Sequence, residues 1–544
     1  MTVSGAAHQP VVLRRVTAVG GRHRRRATTR VPGVLTGRVR TRFGRFDPLV
    51  LLTCLVAAAV YVAHGFEGVL SRDLGVYAYA GQQVADGLPP YVGILNRAGP
   101  LAHLVPGIGV AASRAVGVDD LTGVRVFFLL LSVAAVGLAY VLARDLFRSR
   151  LAGLACAAAL LSFEGFLRYA TYGPREKTTM VLLLLCALLA LAHRRWATTG
   201  CFVALATLTW QPVFFAAAAG AVSAALLLPT GRARALLRIA VGGAVPTVLT
   251  VGAFAAIGEL RTFLDDFLLI NAQYTRQASL LDHRGKTWDI LREAYGWSLW
   301  VFAAGCVVLL ALTVLALTRR PSARDERDPA VVGAGVALAV GLLWSLYAFN
   351  SWPDGFLLLP LAALGVGGAA AWLRTRTTTR VAAAAVATWV AAAAAASSAY
   401  AIGTSDDTLD QQRHDVAFVM GLLPDDATML SVDAPQALVL AGQRNPSRFQ
   451  VFSGGLTDYL DHTWPGGRQG YGRWVTGQAP TVIAVGGTGS PGWLDPVLAE
   501  SYQRVGRSPG WTWYLRDTVP LPVRLAVRDE LGSPPGPVAL ASSA

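Results

Sequence analysis

At 544 residues, with 53% hydrophobic and only 15% charged side chains and a mean hydropathy of +0.46, the chain is too apolar for an ordinary soluble globule and belongs in a membrane. Its net charge of +15 lies in short arginine clusters between apolar runs, a pattern that orients helices in a bilayer and does not point to nucleic acid. The five cysteines all fall inside apolar runs, with no CxxC and no Cys/His cluster, which removes a zinc site and argues against a disulfide framework.

Residues 1–47 are rich in arginine (Arg14, Arg15, Arg22) and lack a hydrophobic pattern, so they read as a disordered basic cytoplasmic tail before a retained anchor. Apolar runs near bilayer length follow at 48–64, 121–142, 151–163, 178–192, 237–258, 296–317, 329–348, 357–373 and 381–402. The stretch 200–228 is too long for one helix and is interrupted by Trp210-Gln211-Pro212. Split there, where proline ends or kinks a helix, it brings the total to about eleven crossings.

With the N-terminus inside, alternation places Arg144, Arg148 and Arg150, then Arg194 and Arg195, Arg232 and Arg234, Arg319 and Arg320, and Arg374 and Arg376 on the inner face, as the positive-inside rule requires. The loops 65–120, 164–177 and 259–295 then lie outside, with Asn350-Ser351-Trp352-Pro353-Asp354 and everything after about 403. From 403 to 518 strand-like and helix-like segments alternate: a helix at 408–422, ATMLSVD at 427–433, FQVF at 449–452, TVIAV at 481–485 and WTWYLR at 511–516. The expected fold is thus an α-helical polytopic membrane core, residues 48–402, carrying a small extracytoplasmic α/β domain. The Pro/Gly/Ser/Ala-rich tail 519–544 reads as disordered. No GxxxxGK[ST] loop and no GxGxxG between strand and helix is present, so a nucleotide-driven pump is not indicated.

The first outer loop begins with Asp73, flanked by Arg72. Asp73 is either a first-turn acid complementing a helix dipole behind a Ser71 cap, or an ionised carboxylate free to accept a proton from an incoming hydroxyl. Tyr77, four residues on, shares its helix face. Gly87-Leu88-Pro89-Pro90-Tyr91 stops that helix, and Leu101–Val110 is apolar but too short to span, which suits a segment lying in the interface. The second outer loop ends in Arg175-Glu176-Lys177, either an interfacial anchor or a pair of cations for a lipid phosphate with Glu176 orienting them or meeting the acceptor. The third supplies Asp265, Asp266, Asn271, Tyr274, Arg276, His283, Arg284 and Lys286. His64, Trp210 and Gln211 are placed to line the same cleft. No His/Asp/Glu spacing suggests a metal.

The order Asp73-x-x-x-Tyr77, Gly81, Gly87-Leu88-Pro89-Pro90-Tyr91, Arg97-x-x-Pro100 resembles the first outer loop of the GT-C superfamily of membrane glycosyltransferases, in particular bacterial relatives of the dolichyl-phosphate-mannose protein mannosyltransferases. Arg175-Glu176-Lys177 is similar to a charged element before a later span in related bacterial proteins. The chain departs from the pattern at Val92 and Leu74, where family members often carry acids. The resemblance implies transfer of a sugar, mannose or a pentose, from a polyprenyl-phosphate donor to a hydroxyl on a glycan, lipid or protein acceptor at the outer face of the cytoplasmic membrane, with no nucleotide, no cofactor and no obligatory metal. Asp73 is then the catalytic base, joined by Glu176, and Tyr77, Tyr91, Arg97, Arg175, Lys177, Arg276 and Lys286 form the substrate-binding set. The competing readings are a flippase or transporter of lipid-linked sugars, which calls for charges within the spans and paired broken helices, and a non-catalytic envelope scaffold.

Overall fold

A backbone surrounded by lipid has to satisfy its polar groups internally, so long apolar runs become helices. The computed structural model describes residues 47–275, 279, 281, 284–319, 325–453, 455–487 and 489–532; the expected basic tail before Asp47 and the stretch after Gly532 lie outside them. The helical core comprises α1 (Pro48–Ala63), α2 (Arg72–Ala85), α3 (Leu101–Ala115), α4 (Asp120–Phe147), α5 (Arg150–Ser162), α6 (Glu164–Tyr172), α7 (Glu176–Ala192), α8 (Trp196–Thr207), α9 (Val213–Leu226) and α10 (Arg232–Ala256). It continues through α11 (Leu260–Leu264), a π-helical turn over Asp265–Tyr274, α12 (Arg284–Tyr295), α13 (Ser298–Thr318), α14 (Asp328–Tyr347), α15 (Leu359–Arg376) and α16 (Thr379–Gly403).

Among the described residues, α4, α10, α13, α14 and the run starting at Thr379 are long and apolar enough to cross a bilayer, and α5 with α6, bent by 69°, makes a sixth if counted as one span. Other expected crossings fall on shorter helices, such as α1 with 16 residues and α7 with 17. The stretch 200–228 breaks where Pro212 stands, between α8 and α9. On α10, Leu237, Val241, Val245, Val248 and Leu249 are each more than half exposed, an apolar face suited to hydrocarbon rather than water. Elsewhere helices meet closely through small residues: a Cβ on Gly365 of α15 would run into the backbone of Gly305 on α13.

The bundle is tied at both ends by polar contacts. At the end remote from α2, the buried Asp47 accepts from Tyr140 Oη at 2.9 Å and Arg150 Nε at 3.1 Å, joining the starts of α1 and α5 to the end of α4. At the other end, fully buried Arg125 of α4 donates to the carbonyls of Phe66 and Gly68, and Gln412 exchanges two hydrogen bonds with the backbone of Leu70, at 2.9 and 3.1 Å. The connection between α1 and α2 is therefore gripped from two sides, which fixes where Asp73 begins its helix.

Beyond α16 come α17 (Thr408–Gly421), β1 (Met429–Val432), α18 (Pro435–Ala441), α19 (Leu456–Thr463), α20 (Gly467–Gln478), β2 (Val482–Gly486), α21 (Asp495–Ser501), β3 (Tyr502–Ser508), β4 (Trp511–Arg516) and α22 (Leu521–Leu531). The strands form one sheet in the order β1-β2-β4-β3, with β1 and β2 parallel and the other pairs antiparallel. This sheet does not stand apart from α2: Leu74 and Tyr79 bury themselves with Leu438, Trp511 and Trp513, and a Cβ on Gly75 would lie 2.7 Å from the backbone nitrogen of Gln436.

Two expectations need correction, and one strand has no counterpart among the expected elements. FQVF (449–452) is not a strand; it is held by the amide of Asp433, which donates to the Gln450 carbonyl at 2.7 Å, and by the Asp433 carboxylate, which accepts from Phe452 N at 3.1 Å. The polar segment Tyr502–Ser508 is a strand, because pairing with β4 compensates its weak pattern. Part of the tail expected to be disordered is α22, whose Val527 and Leu531 are buried against the sheet.

The π-helical turn is clamped by an ion pair. Arg448 donates to Asp266 Oδ1 at 2.9 Å and to the Tyr91 carbonyl at 3.1 Å, while its own carbonyl accepts from Leu95 N at 2.7 Å. Burial pushes the Asp266 carboxyl up to about 7 against the pull of Arg448. A folded value above the unfolded one, near 3.9, means that this group's contribution is complete below about pH 4 and is lost as pH rises through about 7. Asp266→Asn is expected to flatten that part of the pH dependence of thermal unfolding in detergent; an unchanged slope would show that Asp266 titrates elsewhere.

Candidate active site

A cavity of about 450 Å³ opens where the start of α2, the start of α7, the break before α9, the π-helical turn and the segments 95–98, 350–354 and 451–456 converge. Asp73 stands in the first turn of α2 with its side chain 48% exposed. Its Oδ2 accepts from Arg175 Nη1 at 2.9 Å, and Arg72 Nη2 lies 3.3 Å from Oδ1. Burial alone would raise the Asp73 carboxyl, but the charges of Arg175 and then Arg72 outweigh it and hold it well below the usual carboxylate range.

The charges continue inward in alternation. Arg175 Nε is 3.2 Å from Glu176 Oε2, Lys177 Nζ donates to Glu176 Oε1 at 2.8 Å, and Lys177 Nζ is 3.1 Å from Asp354 Oδ1. Asp354 also accepts from Asn350 N at 2.8 Å. Arg175, Glu176 and Lys177 are all buried, where an ion without its counterion is costly and an alternating row keeps each charge paired. The cations also lie over rings: Arg175 is 5.8 Å from the Tyr77 centroid and 5.5 Å from Tyr169, and Lys177 is 5.0 Å from Trp210.

Several expected residues meet here. Asp73, Tyr77, Arg97, Arg175, Glu176, Lys177, Trp210, Gln211 and Asn271 all line the cavity. The carbonyl of Arg97 accepts from Gln211 Nε2 at 2.9 Å and from Asn271 Nδ2 at 2.8 Å, so two elements fix the backbone that presents its guanidinium. Tyr91 does not line the cavity: it is fully buried at φ 73°, and its hydroxyl donates to the Ala98 carbonyl at 2.8 Å, bracing the loop that carries Arg97. Lys286 is exposed near the start of α12 and does not line the cavity either, while Arg276 and His283 lie outside the described residues. His64 is buried beside Thr171, 3.2 Å from its hydroxyl, and beside Tyr172, away from the cavity.

Two participants were not singled out by sequence. Asp354 sat in a loop recognised only as outer, and the sole local signal was an acid two residues after Trp352. Arg72 flanks Asp73 in sequence, and its Nη1 also donates to Ser453 Oγ at 3.1 Å and lies 3.8 Å from Asp433, tying the start of α2 to the segments on either side of α18. A smaller cavity of about 130 Å³ reaches Asp73 and Arg175 from a different side, past Arg168, Tyr169, Glu293 and Trp352. The carboxylate and its partner thus line both cavities.

The fold of the chain is similar to that of solved GT-C membrane glycosyltransferases. ArnT from Cupriavidus metallidurans in the apo state is similar to it with a TM-score of 0.60 at 13% identity, over 86% of this chain and 97% of that one. The same figures hold for ArnT from Cupriavidus metallidurans bound to undecaprenyl phosphate. An oligosaccharyltransferase from Archaeoglobus fulgidus tethered with an acceptor peptide is a more distant likeness, TM-score 0.47 at 13% identity, over 87% of this chain and 75% of that one. No protein-family model matches the chain, and no curated protein does.

Glu176 is the centre of the charge row. Glu176→Gln strands Arg175 and Lys177 without their shared counterion and is expected to lower the unfolding free energy by about 3–5 kcal/mol. Denaturant titration in detergent, followed by circular dichroism, checks this; a variant as stable as the parent would show that Asp73 and Asp354 suffice.

Proposed function

We propose that the protein transfers a sugar from a polyprenyl-phosphate carrier to an acceptor hydroxyl, with Asp73 as the base. The observation that carries this reading is the Asp73 carboxylate, ion-paired with Arg175 at 2.9 Å and adjoining two cavities. The 450 Å³ cavity is lined both by cations, Arg97, Arg175 and Lys177, and by apolar side chains, Phe215, Phe267, Leu268 and Trp344. That pairing suits a phosphate on a hydrocarbon chain, and Phe215 is 50% exposed on α9 where lipid would enter. The likeness to ArnT bound to undecaprenyl phosphate supports the same donor class.

In the reaction, the acceptor oxygen attacks the anomeric carbon while the bond from that carbon to the phosphate oxygen breaks, its electron pair leaving with the polyprenyl phosphate. The acceptor's proton passes to Asp73. Negative charge grows on the leaving phosphate, and preplaced cations stabilise it there. Arg175 has a second use: a phosphate that draws it away weakens its hold on Asp73, so the carboxylate becomes a stronger base once the donor is bound. Glu176, wedged between Arg175 and Lys177, orients both cations.

This reading places the site at the outer face of the cytoplasmic membrane, with the N-terminus inside and about eleven crossings. The region after residue 403 is then an extracytoplasmic α/β domain. The sugar is mannose or a pentose, and the acceptor is a glycan, lipid or protein of the cell envelope. Asp73→Asn, which keeps the shape and removes the base, is expected to slow transfer by about 10²–10⁴-fold in liposomes loaded with a labelled polyprenyl-phosphate sugar. Turnover unchanged by the substitution would remove Asp73 from the role. Deleting the gene and comparing envelope glycans identifies the linkage; an unaltered glycan profile would count against transfer itself.

A further inference from the structure

A third cavity, about 950 Å³, takes no part in the charge row. It lies among α19, α20 and α21, and its volume is at the upper end of the roughly 300–1,000 Å³ usual for ligand sites. Aromatic faces and planar polar groups line it together: Phe452 and Trp493 with Arg468, Gln469, Arg473 and Glu500. Trp493 packs 5.1 Å from Phe452 and 5.0 Å from Tyr471, and its indole N–H is buried with no acceptor among the described residues. A tryptophan normally gains a partner for that group when buried, so its ring contacts alone hold it there.

The chemistry of the lining selects among ligands. An aromatic ring matches the C–H face of a sugar ring, and guanidinium, carboxylate and amide groups each offer paired donors or acceptors to neighbouring hydroxyls. Arg468 is already engaged by Asp461, and the lining carries two carboxylates, Asp458 and Glu500, beside its two arginines. That balance leaves no strong preference for an anion.

The cavity also shares a wall with the candidate active site. Along one short stretch, Val451, Ser453 and Leu456 line the site cavity, while Phe452, Gly455 and Thr457 line this one. The wall is tied to the base: Ser453 Oγ accepts from Arg72, which also pairs with Asp73, and Phe452 N donates to Asp433.

We propose that this cleft binds an uncharged saccharide chain, and, resting on the transfer reading above, that the chain is the acceptor glycan, held across the shared wall from Asp73. The test uses the full-length protein in detergent and isothermal titration calorimetry with a soluble manno-oligosaccharide, a soluble arabino-oligosaccharide and, as an anionic control, polygalacturonate. Saturable binding of at least one uncharged oligosaccharide is expected, weakened about tenfold or more by Trp493→Ala and by Arg473→Ala, and unchanged by Asp73→Asn. Arg473 is exposed, so its substitution guards against a folding defect in the tryptophan variant. In a transfer assay the same two variants are expected to raise the acceptor KM with kcat retained. No binding of either uncharged oligosaccharide, binding of polygalacturonate alone, or binding that survives both substitutions would overturn the cleft assignment. Saccharide binding at the cleft in a protein that transfers no sugar would instead overturn the transfer reading and leave the cleft standing.

Discussion

The row Asp73, Arg175, Glu176, Lys177, Asp354 is the constraint on which the rest depends. Arg175, Glu176 and Lys177 are consecutive in sequence and nearly inaccessible, with side chains 7%, 2% and 6% exposed. Glu176 balances only one of the two cations beside it, so the run is stable only if further counterions arrive from elsewhere. Asp73 comes from the first turn of α2 and Asp354 from the turn before α15. The helices that deliver them must therefore converge, and the cavity forms where they do. The same pairing sets the chemistry, since a carboxylate paired with two guanidinium groups stays ionised.

Holding this row requires the connection before α2 to be rigid. Arg125 and Gln412 grip its backbone from the bundle and from α17, and Arg72 adds a link to Ser453. Through these contacts the sheet becomes part of the site's foundation. Leu74 and Tyr79 share their core with Trp511 and Trp513, so displacing the sheet would disturb the start of α2. A change at the wall 451–457 thus has a short path to Asp73, through Ser453 and Arg72.

Much of the framework was legible locally. Apolar runs mark helices because lipid leaves the backbone no other partner; Pro212 marks the break between α8 and α9; and the spacing of Asp73 and Tyr77 places both on one face of α2. What misled was composition judged without its partners. The stretch from 519 looked unstructured, yet Val527 and Leu531 find a buried surface only once the sheet exists. FQVF looked like a strand, yet Asp433 takes the hydrogen bonds that would have made it one. Tyr91 looked like a substrate contact because it belongs to a motif, and its positive φ and bond to Ala98 turn it inward.

By itself, the sequence determined that this is a helical membrane chain with a cluster of charges beside two polar loops, because hydrophobic length and local charge are properties of neighbouring residues. Only the tertiary structure decided which charges meet. The bond from Arg175 to Asp73 spans 102 positions, and the partnership of Lys177 with Asp354 joins two helix termini that no local pattern connects. Ion pairs of this kind are chosen by burial, which penalises every unpaired charge, and burial is a property of the fold as a whole.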